Sequence, residues 1–135
     1  MDVRCLSFRP PLDKAQLLGF LAPRALPGIE EVTGNAYRRL REGIEARLGE
    51  DGVQVTGGLP GTPQSLRSLL DLDLDPAPVA ETLRRDPLLA GLVRRRPGAR
   101  VPGAFDGFEV AVRAVLGQQV SVLGATTLAG RLIRT

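Results

Sequence analysis

Histidine and tryptophan are absent from this chain of 135 residues, and cysteine occurs once, as Cys5. A single cysteine excludes an internal disulfide. Without histidine, the chain cannot build the common zinc sites, nor a Ser-His or Cys-His pair for nucleophilic catalysis. We therefore expect no metal and no cofactor, and several classes of enzyme are excluded.

Long apolar runs are also missing from the sequence. No run approaches the ~20 residues that a membrane-spanning helix needs, and the N-terminus has no apolar segment of the kind that directs secretion. Hydrophobic residues make up 43% and charged residues 24% of the chain, which is ordinary for a globular protein and argues against disorder. The sequence therefore predicts a cytoplasmic globular protein without a membrane partner.

Positive charge is carried almost wholly by arginine. Seventeen of the 18 basic residues are arginines, Lys14 is the exception, and the formal net charge is +3. A GC-rich genome would explain this bias without any functional cause. Arginine also makes bidentate contacts with phosphate, so the composition permits a nucleic-acid partner.

The beginning of the chain has the pattern of a strand followed by a helix. Strand-forming residues at 3–8 stop at Pro10-Pro11, which cannot donate hydrogen bonds to a sheet. Asp13 and Gln16 form a capping box ahead of an apolar helical stripe. Pro23 should kink this helix or end it early.

Short segments separated by glycine then predict an antiparallel meander with one solvated face. The predicted strands are 29–33, 36–41, 43–48 and 53–56, with a hairpin turn at 49–52. Helical spacing follows at 65–72, 77–85 and 87–93. We place a linker in the basic segment 94–100. The prediction is an α+β domain at 1–100, with an antiparallel sheet flanked by helices, and the start of a helical domain at 101–135.

Two apolar-striped helices are predicted beyond this linker, within 105–116 and 122–133. Neither can bury its stripe against the other alone. Further helices are therefore expected from a longer parent chain or from a partner, which includes self-association. The sequence stops at Thr135 inside the helical pattern, and we expect the chain to be truncated there.

The turn between these two helices, Gly117-Gln118-Gln119, is small and polar and is followed closely by Ser121. Neutral amides beside a hydroxyl, in an arginine-rich chain, suit contacts with nucleic-acid backbone and base edges better than they suit acid–base chemistry. The alternative is a plain helix end at Gly117 with solvated glutamines.

Two stretches resemble a known family, namely RPPLDKAQLLGFLAPRALPGIEEV at 9–32 and RPGARVPGAFDGFEVAVRAVLGQQVSVLGATTLAGRL at 96–132. They are similar to the N-terminal half of the DNA-3-methyladenine glycosylase II family, bacterial alkylation-repair enzymes of the helix-hairpin-helix superfamily. The resemblance implies a sheet domain similar to half of a TATA-binding-protein saddle, followed by a helical catalytic region. It also implies a hydrolase that flips alkylated bases such as 3-methyladenine out of duplex DNA and cleaves their N-glycosidic bond.

The resemblance assigns roles to five residues. Gln118, Gln119 and Ser121 match the turn that enters the minor groove and fills the gap left by the flipped base; the best-known member has leucine at the position of Gln119. Phe20 and Arg24 match positions near the alkylbase pocket, where an aromatic ring can stack on a cationic base. The plain alternatives are core packing for Phe20 and a surface position for Arg24.

The catalytic aspartate and the helix-hairpin-helix of the family lie downstream of the matched stretches. The resemblance therefore implies that none of these 135 residues is catalytic and that the chain alone is inactive. A non-catalytic DNA- or protein-binding module, complete as it stands, is the alternative. A third possibility is a domain of a fusion with a methyl-acceptor repair protein.

Two further groups of charged residues also have structural explanations. The arginines at 94–96 and Arg100 could neutralise phosphates, but such a run is commonly a solvated linker face. Asp106 and Glu109 are the carboxylates nearest the polar turn, and their spacing predicts a capping box at a helix start.

Overall fold

A five-stranded antiparallel sheet and six α-helices make up residues 3–135, the part of the chain that the computed structural model describes. The strands are β1 (Val3–Leu6), β2 (Glu30–Thr33), β3 (Ala36–Arg39), β4 (Ile44–Leu48) and β5 (Val53–Thr56). The helices are α1 (Lys14–Leu21), α2 (Thr62–Leu70), α3 (Pro76–Leu83), α4 (Pro87–Arg95), α5 (Gly107–Leu116) and α6 (Val122–Ile133). The strand order is β1-β5-β4-β3-β2, which confirms the predicted α+β class.

One face of the sheet packs against the helices and forms one side of the hydrophobic core. Tyr37, Ala46 and Val55 stand opposite one another on β3, β4 and β5, and each is almost completely buried. The leucines of α1 and α2 close the core above them. Period-two alternation puts the residues next to these on the other face, where Arg38 lies between Glu31 and Glu45. The predicted meander with one solvated face is confirmed.

Tight turns fix the register of this sheet. At the predicted hairpin between β4 and β5, the Gly49 amide donates to the Gly52 carbonyl at 2.9 Å. Gly57 directly follows β5 and has φ +75°, and a Cβ there would lie 1.9 Å from the Gly43 carbonyl oxygen. Only glycine allows this close approach of the two chain segments.

Helix α1 begins and ends close to where the sequence predicts. The Asp13 carboxylate accepts from the Gln16 amide at 2.9 Å, and the helix ends at Leu21, before a 3₁₀ turn that contains Pro23. The capping box, however, is only half formed. The Gln16 side chain bonds to the backbone of Arg100 in both directions, at 3.0 and 3.1 Å, and so ties α1 to a segment 84 residues away.

The basic segment before α5 is not a wholly solvated linker. Arg100 is 3% exposed, and its guanidinium donates to the carbonyl oxygens of Leu74, Arg9 and Pro11 at 2.6–3.1 Å. This corrects the expectation that Arg100 is available to phosphates, because its side chain is buried and both terminal nitrogens donate within the protein, which joins three chain segments. The proposed boundary after residue 100 remains a prediction.

The last two helices rest on the sheet domain and expose much of their apolar surface. Phe108 is 77%, Val115 69% and Leu132 55% exposed, whereas α6 buries Ala129 and Gly130. Within residues 3–135, no helix is both long enough and apolar enough to cross a membrane.

Candidate functional site

An open cavity of about 200 Å³ lies where α1, the sheet and the start of α5 meet. Its wall combines aromatic rings, from Phe20 and Phe105, with charged groups, from Arg24, Glu30 and Arg113. The 3₁₀ turn after α1 brings Arg24 to one side, and the extended segment before α5 brings Phe105 to the other. The cavity can therefore offer both a flat apolar surface and polar groups to a small planar ligand.

Phe20 and Arg24, which the resemblance places at a base pocket, lie in contact in this wall. The Arg24 guanidinium stands over the Phe20 ring, 3.8 Å from its centroid, and Nη1 donates to the Phe20 carbonyl at 2.9 Å. Phe20 is 37% exposed, so the ring is not simply a core residue. One of its faces is covered by a cation.

Glu30 is the centre of a buried polar network beneath the cavity. The Tyr37 hydroxyl donates to Glu30 Oε1 at 2.6 Å, and Arg113 Nη2 donates to Oε2 at 2.5 Å. The Leu26 amide also donates to Oε2, at 3.0 Å. Arg39 lies 3.7 Å from Oε1. Four donors or cations, from β3, α5 and the loop before β2, thus converge on one carboxylate.

Hydrogen bonds decide the protonation state of this network. Burial by itself raises the pKa of Glu30, but the bonds from Tyr37 and Arg113 and the charge of Arg113 outweigh it, so the pKa lies below its usual value. Burial, together with the charge of Glu30, raises the pKa of Tyr37 above its usual value. Glu30 is therefore an anion and Tyr37 a neutral donor at neutral pH.

Arg39 connects this network to α5. It is 2% exposed, its guanidinium stands 4.1 Å from the centroid of Phe105, and it bonds to both carboxylate oxygens of Glu109, at 3.1 and 2.5 Å. Burial lowers the pKa of Arg39, but hydrogen bonds to Glu109 and Glu42 more than compensate and raise it overall.

This contact corrects the expected capping box at α5. Asp106 does accept from the Glu109 amide at 3.0 Å, as a helix N-cap should. The Glu109 side chain, however, reaches across to Arg39 rather than back to the helix start. The network was missed from sequence, although alternation along β3 puts Tyr37 and Arg39 on the core face, and β2–β3 pairing sets Glu30 opposite Arg39.

A second, shallower groove of about 170 Å³ adjoins the first and shares Arg24 and Arg113 with it. Its far wall is the first half of α6, including Val122 and Thr126. Arg113 Nη1 donates to the Arg24 carbonyl at 2.8 Å, and Thr126 Oγ1 donates to the Pro23 carbonyl at 3.4 Å. These bonds fix both helices against the 3₁₀ turn.

The polar turn between α5 and α6 projects into solvent. Gln118, Gln119 and Ser121 are all exposed. Gln119 has φ +57°, a left-handed conformation that is unusual for a residue with a side chain. Ser121 is the N-cap of α6, and its Oγ accepts from the Gly124 amide at 3.1 Å. Gly117 is the C-cap of α5, as the alternative interpretation of a plain helix end predicts. The residue with the left-handed backbone, however, is Gln119.

The structure thus brings the predicted residues together only in part. Phe20 and Arg24 share the wall of the first cavity. Among the residues that the structure describes, Gln118, Gln119 and Ser121 line neither this cavity nor the second groove. Ser121 leads directly into Val122, which lines the second groove. Among residues 3–135, no group of acidic, cysteine or histidine side chains is arranged to hold a metal ion.

Comparisons with known proteins agree with this architecture. The family described as the AlkA N-terminal domain matches residues 3–106. A probable bifunctional transcriptional activator/DNA repair enzyme AlkA of Mycobacterium tuberculosis is 39% identical over 95% of the chain. DNA-3-methyladenine glycosylase 2 of Escherichia coli is 35% identical over 94% of it. The solved 3-methyladenine DNA-glycosylase from Archaeoglobus fulgidus superposes with a TM-score of 0.78 over 99% of the chain, at 22% identity, which supports the fold.

The chain spans only part of each of these relatives. It covers 28% of the mycobacterial protein, 48% of the Escherichia coli protein and 50% of the Archaeoglobus chain. Half or more of each relative therefore lies outside the matched region.

Proposed function

The chain belongs to the AlkA N-terminal domain family, and from this premise we propose that it is the N-terminal part of a DNA glycosylase that removes alkylated bases such as 3-methyladenine. It contributes a scaffold, one wall of the base pocket and the turn that probes the duplex. The N-glycosidic bond is hydrolysed after the damaged nucleotide has flipped out of the stack, as the first step of base excision repair. Because the substrate is chromosomal DNA, we place the protein in the cytoplasm.

The observation that carries this proposal is the exposed, left-handed Gln119 at the tip of the turn between α5 and α6. Residues in such strained conformations persist where the surrounding structure holds them, and they cluster at ligand-contacting sites. An amide at this tip can fill the gap left by a flipped base and bond to the orphaned partner base. Gln118 and Ser121 flank it, and Ser121 also fixes the start of α6.

The cavity beside Phe20 supplies the second part of the proposal. An aromatic ring binds an electron-poor alkylated base by stacking and by cation–π attraction. Arg24 covers one face of this ring at 3.8 Å, and its charge repels a cationic base there. We therefore propose that Arg24 leaves the ring when the base enters and turns towards a DNA phosphate.

The remaining parts of the enzyme are proposed to lie beyond residue 135. The catalytic aspartate stabilises positive charge that develops on the sugar, and we assign it to a helical region that follows. That region would also cover an apolar groove of about 200 Å³ between α5, α6 and the start of β2, lined by Ile29, Phe108 and Leu132 among others.

Without this region, we expect the chain to be inactive and to self-associate through the apolar groove. In sedimentation, Leu132→Gln should then reduce association, whereas Leu88→Gln on α4 should not.

The experiment is a binding measurement on duplexes with and without a single abasic-site analogue, at one fixed salt concentration. We expect the chain to prefer the duplex that contains the gap. Gln119→Ala should reduce this preference about fivefold, since one lost hydrogen bond or wedge contact is worth roughly 1 kcal/mol. Gln54→Ala is the matched control, because Gln54 is an exposed glutamine on the solvated face of the sheet.

Two results would contradict the proposal. One is a wild-type chain that binds intact and gapped duplexes equally well. The other is an equal effect of the two glutamine substitutions. Either result would favour the alternative function, a non-catalytic binding module whose contacts do not depend on DNA damage.

A further inference from the structure

Excess positive charge is concentrated on one substructure, the helical hairpin of α3 and α4 at residues 76–96. It carries five arginines and two carboxylates, a net charge of +3 that equals that of the whole chain. The remaining 13 basic and 13 acidic residues cancel. Elsewhere in residues 3–135, many arginines face carboxylates in ion pairs, as Arg38, Arg39 and Arg67 do.

The arginines of the hairpin are exposed and mostly lack such partners. In the part of the chain that the structure describes, no carboxylate lies within 4.0 Å of Arg84, Arg94 or Arg95, and all three are exposed. Arg85 has one weak pair, with Glu81 at 3.4 Å, between side chains that are 75% exposed. Arg96 lies 3.8 Å from Asp13.

Two of these guanidinium groups converge on the same point of α4. Arg94 Nη2 and Arg95 Nη1 each lie 3.9 Å from the position that a Cβ of Gly91 would occupy. Two cations on either side of one point repel each other, and an anion placed between them relieves that repulsion. Gly91 has no side chain to obstruct that anion. A phosphate oxygen fits this arrangement, because guanidinium groups bind phosphate with directed, charge-assisted hydrogen bonds.

We propose that the α3–α4 hairpin is a second DNA-contacting surface, which binds backbone phosphates through Arg84, Arg94 and Arg95. The proposal deepens the glycosylase function above and rests on it. Arg84 lies at the tip of the hairpin and Arg95 at the end of α4, about 14 Å apart along the helix axis. A duplex presents roughly eight phosphate charges over that length, so each arginine can find a partner.

The hairpin and the polar turn lie at opposite ends of α1. At the start of α1, the Asp13 amide donates to the Gly98 carbonyl at 2.9 Å, just after the hairpin. Beyond its other end, the Pro23 carbonyl accepts from Thr126 of α6. Ten residues of helical rise separate these contacts by about 15 Å. This is less than the ~34 Å of one duplex turn, so the two contacts lie within the span of a single turn.

An anionic membrane is the main competing partner, since Leu88 and Leu92 are exposed beside the arginines, at 83% and 52%. Helices that lie on membranes present a broad apolar face, with basic residues along the opposite face. The arginines of this hairpin instead gather at the two ends of α4, and only two leucines are strongly exposed between them. The arrangement favours a linear array of phosphates.

The test is the salt dependence of binding to an undamaged duplex. The triple variant Arg84→Gln, Arg94→Gln, Arg95→Gln should lower the slope of log K against log salt by about 2–3, since each phosphate contact contributes roughly 0.9. The matched control is Arg41→Gln, Arg131→Gln, Arg134→Gln, three exposed arginines outside the hairpin, which should change the slope by less than about 1. The corresponding Arg→Lys hairpin variant should restore most of the slope.

A second variant leaves all the arginines in place. Gly91→Glu puts a carboxylate between the guanidinium groups of Arg94 and Arg95, and glutamate is a better helix former than glycine. It should reduce the slope by about 1–2. Gly61→Glu adds the same charge at an exposed position, where an added Cβ would meet no atom of a residue beyond its chain neighbours within 4 Å, and should leave the slope nearly unchanged. Thermal unfolding of each variant checks that the fold is intact.

The outcomes separate this inference from the proposed function. Hairpin variants should weaken binding to intact and gapped duplexes equally and keep their ratio, whereas Gln119→Ala should change the ratio. Equal slopes for hairpin and control variants would overturn the inference and leave the probing turn intact. Binding of the wild-type chain to anionic vesicles but not to duplex DNA would overturn it in favour of a membrane partner.

Discussion

At the scale of single residues, Gln119 combines an unfavourable backbone conformation with a proposed contact to DNA. Its φ of +57° places it in the left-handed region, which costs an L-residue roughly 1–2 kcal/mol. Glycine would avoid this cost but would leave no side chain to enter a gap in DNA. Sequence inspection identified the turn, but the left-handed residue could not be predicted, since Gly117 was the obvious candidate for that conformation.

Replacing Gln119 by glycine should therefore stabilise the protein and weaken its recognition of gapped DNA. We expect Gln119→Gly to raise the free energy of unfolding by about 0.5–1 kcal/mol, because the left-handed strain is relieved while the unfolded chain gains freedom. Gln118→Gly, at a neighbour without positive φ, should lower it by a similar amount. Urea titrations of the two variants measure this difference, and destabilisation by both would show that Gln119 is not strained.

Glu30 is a buried carboxylate, and hydrogen-bond donors around it stabilise its ionised form. Its pKa is lowered because the hydrogen bonds from Tyr37 and Arg113 outweigh the effect of burial. The unfolded chain therefore binds a proton more readily than the folded chain does. The stabilisation that Glu30 provides is complete above the pKa of an unfolded glutamate and is lost as pH falls through the lower, folded pKa.

Glu30→Gln should flatten this pH dependence. Between about pH 5 and pH 3 the wild-type free energy of unfolding should fall more steeply than that of the variant, because only the wild type takes up this proton on unfolding. At pH 7 the variant should be less stable by about 3 kcal/mol, since it leaves Arg113 and Arg39 without their shared anion. Parallel pH profiles for the two proteins would show that folding does not lower the pKa of Glu30.

At the scale of elements, two arginines of the network hold α5 in place. Arg39 reaches from β3 to Glu109 in the first turn of α5, and Arg113, one turn further along, reaches back to Glu30 and to the Arg24 carbonyl. No residue of α5 is fully buried, so apolar packing contributes little to holding this helix against the sheet. We expect the orientation of α5, and with it the position of the polar turn, to depend on these ion pairs.

Removing the Glu109 charge should loosen α5 selectively. We expect Glu109→Gln to cost about 1–3 kcal/mol, because Arg39 is 2% exposed and keeps only part of its anionic surroundings. Amide hydrogen exchange should accelerate in α5 and α6 more than in the sheet. Glu31→Gln, at an exposed carboxylate that pairs with Arg38, is the control and should leave both patterns nearly unchanged. Uniform acceleration throughout the chain would contradict a local role.

The elements themselves were largely predictable from sequence. Alternation along β4 and β5, proline at helix starts and glycine between strands are local signals, and β2–β5 and α1–α6 all lie close to their predicted ranges. The long-range polar contacts were not predictable. Gln16 and Glu109 both fit a local capping pattern in the sequence. Their side chains instead bond to Arg100 and Arg39, which lie 84 and 70 residues away. Nothing in the local pattern distinguishes a capping carboxylate from a bridging one.

At the candidate site, the resemblance places Phe20 and Arg24 near a base pocket, and the structure puts both in one cavity wall. Their role in binding a base stays a prediction. That Arg24 would lie on the Phe20 ring could not be known, because it depends on the course of the 3₁₀ turn after Leu21. Arg100 was grouped with exposed arginines by its position in the chain, but it is buried by contacts with segments distant in sequence.

At the scale of the whole molecule, charge and apolar surface are separated. The hairpin carries the excess positive charge, and the exposed apolar surface of α5 and α6 gathers near Phe108 and Leu132. Monomeric proteins seldom leave a contiguous apolar groove uncovered. The chain covers 48% of its Escherichia coli relative, and we propose that a helical region outside the matched part covers this groove and completes the proposed base pocket.

The most direct test of this account is release of 3-methyladenine from methylated duplex DNA. The protein to assay is the native gene product, captured from the source cells with an antibody raised against this chain, beside the isolated 135-residue chain. We expect the native product to release the free base and the isolated chain to release none. A native product that binds the methylated duplex but releases no base would contradict the glycosylase function.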